Sequence, residues 1–107
     1  MEKKFLVVFH LKEASLGKDA MKATIQEHGM RLAQQQKSGE LIFAGPCLDH
    51  TIAILVYKVD SADKASETAK GDPLYKAGVV DFEVHPFVTL DDMLQPGALD
   101  AFVGTLG

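Results

Sequence analysis

Residues 24–46 read TIQEHGMRLAQQQKSGELIFAGP and predict a helix, a glycine stop and a strand. Gly39 supplies the left-handed residue that ends the helix, and residues 41–44 form a short apolar run before Gly45 and Pro46. Residues spaced three and four apart share one face of the helix, and this face is predicted to pack against the core: Met21, Ile25, His28 and Leu32. His28 is thus a titratable imidazole within an apolar stripe, and it is the residue of the sequence that most strongly suggests a chemical role.

The chain on either side of this stretch adds three strands and a second helix. Residues 5–11 (FLVVFHL) are apolar on both faces and predict a central strand. Residues 51–59 predict a strand joined to the second by a short hairpin link, and residues 79–88 predict a fourth strand. Asp60 or Ser61 caps a second helix. The order βαββαβ predicts an α+β, ferredoxin-like fold, with a four-stranded antiparallel sheet ordered 4-1-3-2 and both helices on one face.

The start of the first helix has two solutions. Asp19 is a possible N-cap, whereas Thr24 and Glu27 have the spacing of a capping box. The capping box favours the shorter helix, which places His28 in the first turn. A start at Asp19 would instead place His28 about 13 Å along the helix, at about 1.5 Å per residue.

Length and composition limit the possible functions. The 107 residues correspond to one domain, predicted as an α+β unit over residues 1–90 and a tail over residues 91–107. The net charge of −4 without a basic cluster argues against nucleic acid and anionic membranes as partners. No apolar run is long enough for a transmembrane helix. The single cysteine fits a reducing compartment, so we expect a cytoplasmic protein.

The central strand also predicts a partner. Its side chains are apolar on both faces, but two helices can cover only one face of a four-stranded sheet. We therefore expect a homodimer in which two sheets pair face to face. The tail is a rival cover or a clasp on the partner, because its apolar residues share a helical face: Leu99, Phe102, Val103 and Leu106.

Asp72 is the candidate partner of His28. It stands between Gly71 and Pro73, and the sequence Asp-Pro is typical of an N-cap followed by proline at the first helical position. The sheet order brings the end of the first strand and the start of the fourth together, so Asp72 would lie near a His28 in the first helical turn. The alternatives are a core histidine satisfied by a backbone carbonyl and an Asp72 that only caps.

Three other histidines, a cysteine and an arginine have weaker signals. His10 ends the first strand and could line the same pocket or be exposed. Arg31 follows His28 by one helical turn and could reach an anionic substrate or lie on a solvated face. His85 is interpreted as a surface residue. Cys47 and His50 have a C-x-x-H spacing, but zinc requires three or four ligands and no second cluster is apparent, so no metal site is predicted.

Taken together, His28, Gly39, the segment GELIFAGP and the segment GDPLYKAGVVDFEVHPF resemble the YciI-like (YCII-related) proteins. That family belongs to the dimeric α+β barrel superfamily, which also contains muconolactone isomerases, and the resemblance covers roughly residues 5–88. It implies a catalytic His–Asp dyad at His28 and Asp72. The aromatic residue of the family motif is displaced here, because Leu74 follows Pro73 and Tyr75 comes next.

Two functions are therefore expected from the sequence. The first is a small cofactor-independent enzyme in which His28 and Asp72 catalyse proton transfer, isomerisation or elimination on a small organic molecule. The candidate substrate-binding residues are His10, Arg31, Gly45, Pro46 and Tyr75. The alternative is a non-catalytic small-ligand-binding or accessory protein with the same fold.

Overall fold

Four strands pair antiparallel in the order β2-β3-β1-β4, as predicted from the order of elements. The computed structural model describes residues 2–13 and 16–107, and Met1, Ala14 and Ser15 lie outside it. The elements, in chain order, are β1 Lys4–Leu11, α1 Lys18–Lys37, β2 Leu41–Pro46, β3 Ile52–Lys58, α2 Ala62–Lys70, α3 Pro73–Lys76, β4 Val80–Phe87, α4 Leu90–Met93 and α5 Ala98–Gly104. This arrangement confirms the ferredoxin-like α+β fold.

The two faces of β1 have different surroundings, because side chains alternate along a strand. Phe5, Val7 and Phe9 are buried against the helices. Leu6 and Val8 point to the other side, which we call the open face, and they are only partly buried. The core therefore lies between the sheet and the helices, and the open face carries further apolar side chains.

The short helices begin as their sequences predict. Ser61 caps α2 by accepting a hydrogen bond from the Lys64 amide at 3.1 Å. Asp72 caps α3 by accepting from the Leu74 amide at 2.8 Å, with proline at the start of the helix. These caps satisfy amides that have no partner within the first helical turn.

The preferred start of α1 at Thr24 was wrong, whereas the alternative at Asp19 lies one residue from the observed start. The helix begins at Lys18 after Gly17, and Thr24 lies inside it, with its hydroxyl donating to the Ala20 carbonyl at 2.9 Å. A threonine already within a helix commonly makes this bond to the carbonyl one turn back, so its hydroxyl is not available as a cap. The predicted end at Lys37 is confirmed.

The apolar stripe of α1 is also less buried than predicted. None of the 20 described residues of α1 is buried, and Ile25 is 51% exposed. The stripe borders a cavity between α1 and the sheet instead of filling a closed core. No helix in residues 2–13 and 16–107 is both long enough and apolar enough to cross a membrane.

The tail contains two short helices that follow β4. Lys4 on β1 pairs with Asp92 in α4 at 2.6 Å, which ties the first tail helix to the sheet. Beyond this tie, large apolar side chains of the tail are exposed: Leu90, Leu94, Leu99, Phe102, Val103 and Leu106. The molecule measures 50 × 29 × 25 Å, so it is elongated for 107 residues.

Candidate active site

The site centres on a direct contact between His28 and Asp72. Nδ1 of His28 lies 2.7 Å from Oδ2 of Asp72, a distance typical of a charge-assisted hydrogen bond. The side chain of His28 is 14% exposed and that of Asp72 is fully buried. The sequence predicted that these residues would meet only if α1 were short. They meet in a long helix because α3 packs beside α1 near His28 and not at its N-terminus.

Asp72 uses both carboxylate oxygens. Oδ1 accepts from the Leu74 amide, and Oδ2 faces both His28 and the Arg31 guanidinium, whose Nη1 lies 3.6 Å away. A carboxylate without exposure to water needs such partners, because desolvation strongly disfavours an isolated buried charge. The N-cap predicted at Asp72 and the imidazole contact therefore coexist in one side chain.

The Asp72 contact fixes the chemistry of the imidazole. An ionised carboxylate can only accept hydrogen bonds, so Nδ1 of His28 must carry the proton. In the neutral ring the other nitrogen, Nε2, then has a free lone pair, and it has no hydrogen-bond partner within residues 2–13 and 16–107. Nε2 of His28 is therefore oriented so that it can accept a hydrogen bond or a proton from a bound molecule.

Beside His28 lies a cavity of about 450 Å³ between α1 and the sheet, which we call the helix–sheet cavity. Most of its wall is hydrocarbon, supplied by side chains that include Phe9, Leu11, Met21, Ile25, Leu32 and Leu55. The ring of Phe9 lies 6.2 Å from the His28 ring, centroid to centroid. Gly29 also borders the cavity, and a Cβ built there would meet no atom within 4 Å. A cavity of this size and polarity is typical of small-molecule sites.

A second imidazole, His50, lines the same cavity. It ends the tight turn between β2 and β3 with a φ of 63°, a left-handed conformation that is uncommon outside glycine. Its amide donates to the Cys47 carbonyl at 3.0 Å, which closes the turn. Sequence analysis considered His50 only as a metal ligand. The available signal was its position just after Pro46, within a short hairpin whose strands border the cavity.

The other predicted site residues separate into two groups. Gly45 and Pro46 line the helix–sheet cavity with His28. Tyr75 does not, and its ring packs edge-on against Phe82 with centroids 5.3 Å apart. Arg31 points away from the cavity, toward α2, where its Nη2 donates to the Thr68 carbonyl at 2.9 Å.

His10, which the sequence left either at the pocket or exposed, does not line the helix–sheet cavity. It follows Phe9 in β1 and so lies on the open face, while Phe9 lines the cavity. There Nε2 of His10 lies 2.5 Å from Glu83, and His85 lies 2.7 Å from the other oxygen of the same carboxylate. The hydrogen bond from His10, with a second from His85, lowers the pKa of Glu83 below its ordinary value.

A metal centre was not predicted, and the donor atoms are scattered. Within residues 2–13 and 16–107, no three His, Cys, Asp or Glu side chains are grouped in a way that could hold an ion. Cys47 is partly exposed and forms no disulfide.

Comparison with known proteins places this fold in a class. The four-stranded antiparallel sheet with helices packed on it is a ferredoxin-like α+β arrangement. The YCII-related domain matches residues 4–88, so the chain belongs to the YCII-related family. No curated protein matches the chain significantly.

One solved structure illustrates the fold. The chain is similar to the 5-chloro-2-hydroxyhydroquinone dehydrochlorinase TftG from Burkholderia phenoliruptrix AC1100, in complex with 2,5-dihydroxybenzoquinone. The TM-score is 0.57 and the sequence identity 17%, over 81% of this chain and 96% of that chain. At this identity the likeness shows the fold alone.

Proposed function

We propose that this protein is a small cofactor-independent enzyme that uses His28 as a general base, with Asp72 orienting it. The observation that carries the proposal is the 2.7 Å contact between His28 and the fully buried Asp72 at the wall of an apolar cavity. Histidine changes protonation near neutral pH, and a carboxylate behind it fixes the tautomer that can accept a proton.

The proposed reaction is proton abstraction coupled to elimination. Nε2 of His28 removes the proton of a ring hydroxyl while the ring carbon that bears the leaving group takes up a proton, which gives a dienone. Removal of a second proton, from the hydroxyl conjugated with that carbon, then forms a carbonyl and expels a leaving group such as chloride. The imidazolium formed is stabilised by Asp72 and returns its proton to water. The net change is that the substrate loses one proton and the leaving group, for example HCl. No oxidant, reductant or metal is required for this balance.

The cavity favours a small, largely apolar and ring-shaped substrate with one or two polar groups. Its wall is mostly hydrocarbon, and His28 and His50 are the titratable side chains that line it. A hydroxylated quinone or chlorinated hydroquinone meets this description, with ring carbons for the apolar wall and acidic hydroxyls for the imidazoles. The dehydrochlorinase of similar fold was solved with such a molecule, 2,5-dihydroxybenzoquinone.

Binding and turnover can be tested with these compounds. We expect calorimetric binding of 2,5-dihydroxybenzoquinone and release of chloride from 5-chloro-2-hydroxyhydroquinone, with turnover falling on acidification because a protonated imidazole cannot accept a proton. His28→Asn should lower turnover about 10²–10⁴-fold, the usual contribution of a general base. Lys22→Gln is the control, since Lys22 is exposed on α1 and does not line the cavity.

Two results would contradict the enzyme. Turnover that survives in His28→Asn removes the imidazole from the mechanism. Tight binding that needs His28, without chloride release or any other change in the ligand, indicates the alternative, a small-ligand-binding protein. Gly29→Leu, which would place a side chain in the empty space beside Gly29, should weaken binding in either case.

We further propose that the functional unit is a homodimer paired through the open face. Leu6 and Val8 lie there and are only partly buried in the single chain. Burial of several hundred Å² of such surface on each partner would contribute more than about 10 kcal/mol before the costs of association. The helix–sheet cavity lies on the other side of the sheet, so it stays accessible in this dimer.

A further inference from the structure

We infer that Arg31 is a positioning residue for the His28–Asp72 pair, and that Gly71 provides the space in which its guanidinium reaches Asp72. The inference rests on the proposed function for its catalytic consequence. Its structural content concerns the ligand-free protein and can be tested without a substrate.

The guanidinium is held from two directions. Nη2 donates to the Thr68 carbonyl in α2 at 2.9 Å, and Nη1 lies 3.6 Å from Oδ2 of Asp72. Nη1 is buried and has no hydrogen-bond partner within the described part of the chain. A buried guanidinium nitrogen without a hydrogen bond is uncommon, and the Asp72 carboxylate is the anion beside it.

Other neighbours do not supply this counter-charge. Tyr57 lies near Arg31, but burial raises the pKa of its phenol, so it stays neutral. Its hydroxyl donates to the Gln35 side chain at 2.7 Å. The electrostatic partner of Arg31 is therefore the same carboxylate oxygen that faces His28.

Gly71 is explained by the same contact. Its φ of −78° and ψ of −9° are right-handed helical values that any residue adopts, so its backbone does not require glycine. A Cβ at this position would lie 2.7 Å from Nη2 of Arg31 and 3.4 Å from the Thr68 carbonyl oxygen. A Cβ here would require the end of the Arg31 side chain to shift, so glycine leaves room for the guanidinium in its observed position.

The consequence is electrostatic. Arg31 compensates the charge of Asp72, so the carboxylate can stay ionised while His28 is neutral. Without Arg31, the compensating charge would have to come from protonation of His28. An imidazole that is already protonated cannot act as a base, so the arginine maintains the state that the proposed mechanism needs.

The test is an NMR titration of the His28 imidazole in the ligand-free protein. In Arg31→Gln we expect the His28 titration to move toward higher pH, because the cation that opposed protonation is gone. Arg31→Lys keeps the charge and should titrate near wild type. Gly71→Ala should move the titration in the same direction as Arg31→Gln by a smaller amount.

The control removes one positive charge from an exposed position of the same helix. Lys22 lines no part of the helix–sheet cavity, and Lys22→Gln should leave the titration of His28 unchanged. A thermal melt of each variant confirms that the titrated protein is folded. In a turnover assay, Arg31→Gln should lose rate mainly near neutral pH and recover it at higher pH, which a purely structural defect would not do.

Two outcomes would overturn the inference. An unchanged or lowered His28 titration in folded Arg31→Gln shows that Arg31 does not set the charge state of the pair. A wild-type titration in Gly71→Ala shows that the guanidinium does not need the space. Neither depends on a substrate, so a failure of the proposed elimination chemistry would be seen separately, in the His28→Asn assays.

Discussion

Replacement of Asp72 by asparagine separates the structural and chemical roles of this side chain. The asparagine oxygen can still accept from the Leu74 amide, so the cap on α3 is kept. Its amide group replaces Oδ2 and can only donate to Nδ1 of His28. The imidazole must then carry its proton on Nε2, and the nitrogen left for the cavity becomes a donor.

The expected loss of stability follows from the contacts removed. A hydrogen bond to a charged group contributes about 1.5–3 kcal/mol, and Arg31 also loses its counter-charge. The Arg31 side chain is 28% exposed, so water offsets part of that second loss. We expect Asp72→Asn to lower the free energy of unfolding by about 2–3 kcal/mol. Asp72→Ala should lose about 1 kcal/mol more, because the cap is also lost.

Urea denaturation measures the change in the free energy of unfolding, and NMR of the imidazole nitrogens identifies the His28 tautomer. Turnover should fall about 10²–10⁴-fold in both variants, since both lose the orienting carboxylate. Ser61→Ala is the control: it removes a simple cap from α2, should cost about 1 kcal/mol and should leave the His28 tautomer unchanged. An Asn variant with wild-type stability and the Nδ1–H tautomer would refute the role assigned to the carboxylate.

Two further expectations concern the tail and the open face. The hydrogen bond from Lys4, and after it the one from Thr89, lowers the pKa of Asp92. The ion pair therefore stabilises the folded tail fully at pH values above the ordinary pKa of aspartate, and this contribution should be lost as the pH falls through the lowered pKa. Increased amide exchange in α4 would report the loss. Removal of residues 90–107 should leave a dimer in light scattering if the sheets form the interface. A truncated monomer that aggregates would show instead that the tail holds the two subunits together. A full-length protein that is monomeric at micromolar concentration would exclude the dimer.

The fold could be predicted almost entirely from the sequence because its signals are local. Two-residue alternation predicts β4, short apolar or β-branched runs predict the other strands, and capping residues at Ser61 and Asp72 predict where α2 and α3 begin. The preferred prediction for the start of α1 was wrong because the spacing of Thr24 and Glu27 is typical of a capping box but is also compatible with a helix interior. Only the surrounding turn, with Thr24 bonded to the Ala20 carbonyl, distinguishes the two.

The sequence predicted that His28 and Asp72 could meet and that Gly45 and Pro46 could lie at the pocket, but it did not indicate that His50 lines the cavity. The position of α3 along α1 depends on side-chain packing between elements far apart in sequence, so the distance from His28 to Asp72 could not be derived from helix length. For His10, the choice between a pocket position and an exposed one could be made from the strand pattern, because Phe9 and His10 are neighbours in a strand and lie on opposite faces.

The arrangement at Asp72 links stability and chemistry in one residue. One carboxylate oxygen begins a helix, and the other meets both His28 and Arg31. Because the cap fixes the backbone of Asp72 and burial excludes water, the carboxylate has little freedom to turn away from the imidazole. The same interactions that fold α3 against α1 therefore hold the proposed base in its orientation. A change that loosens α3 should reduce function before the rest of the sheet is disturbed.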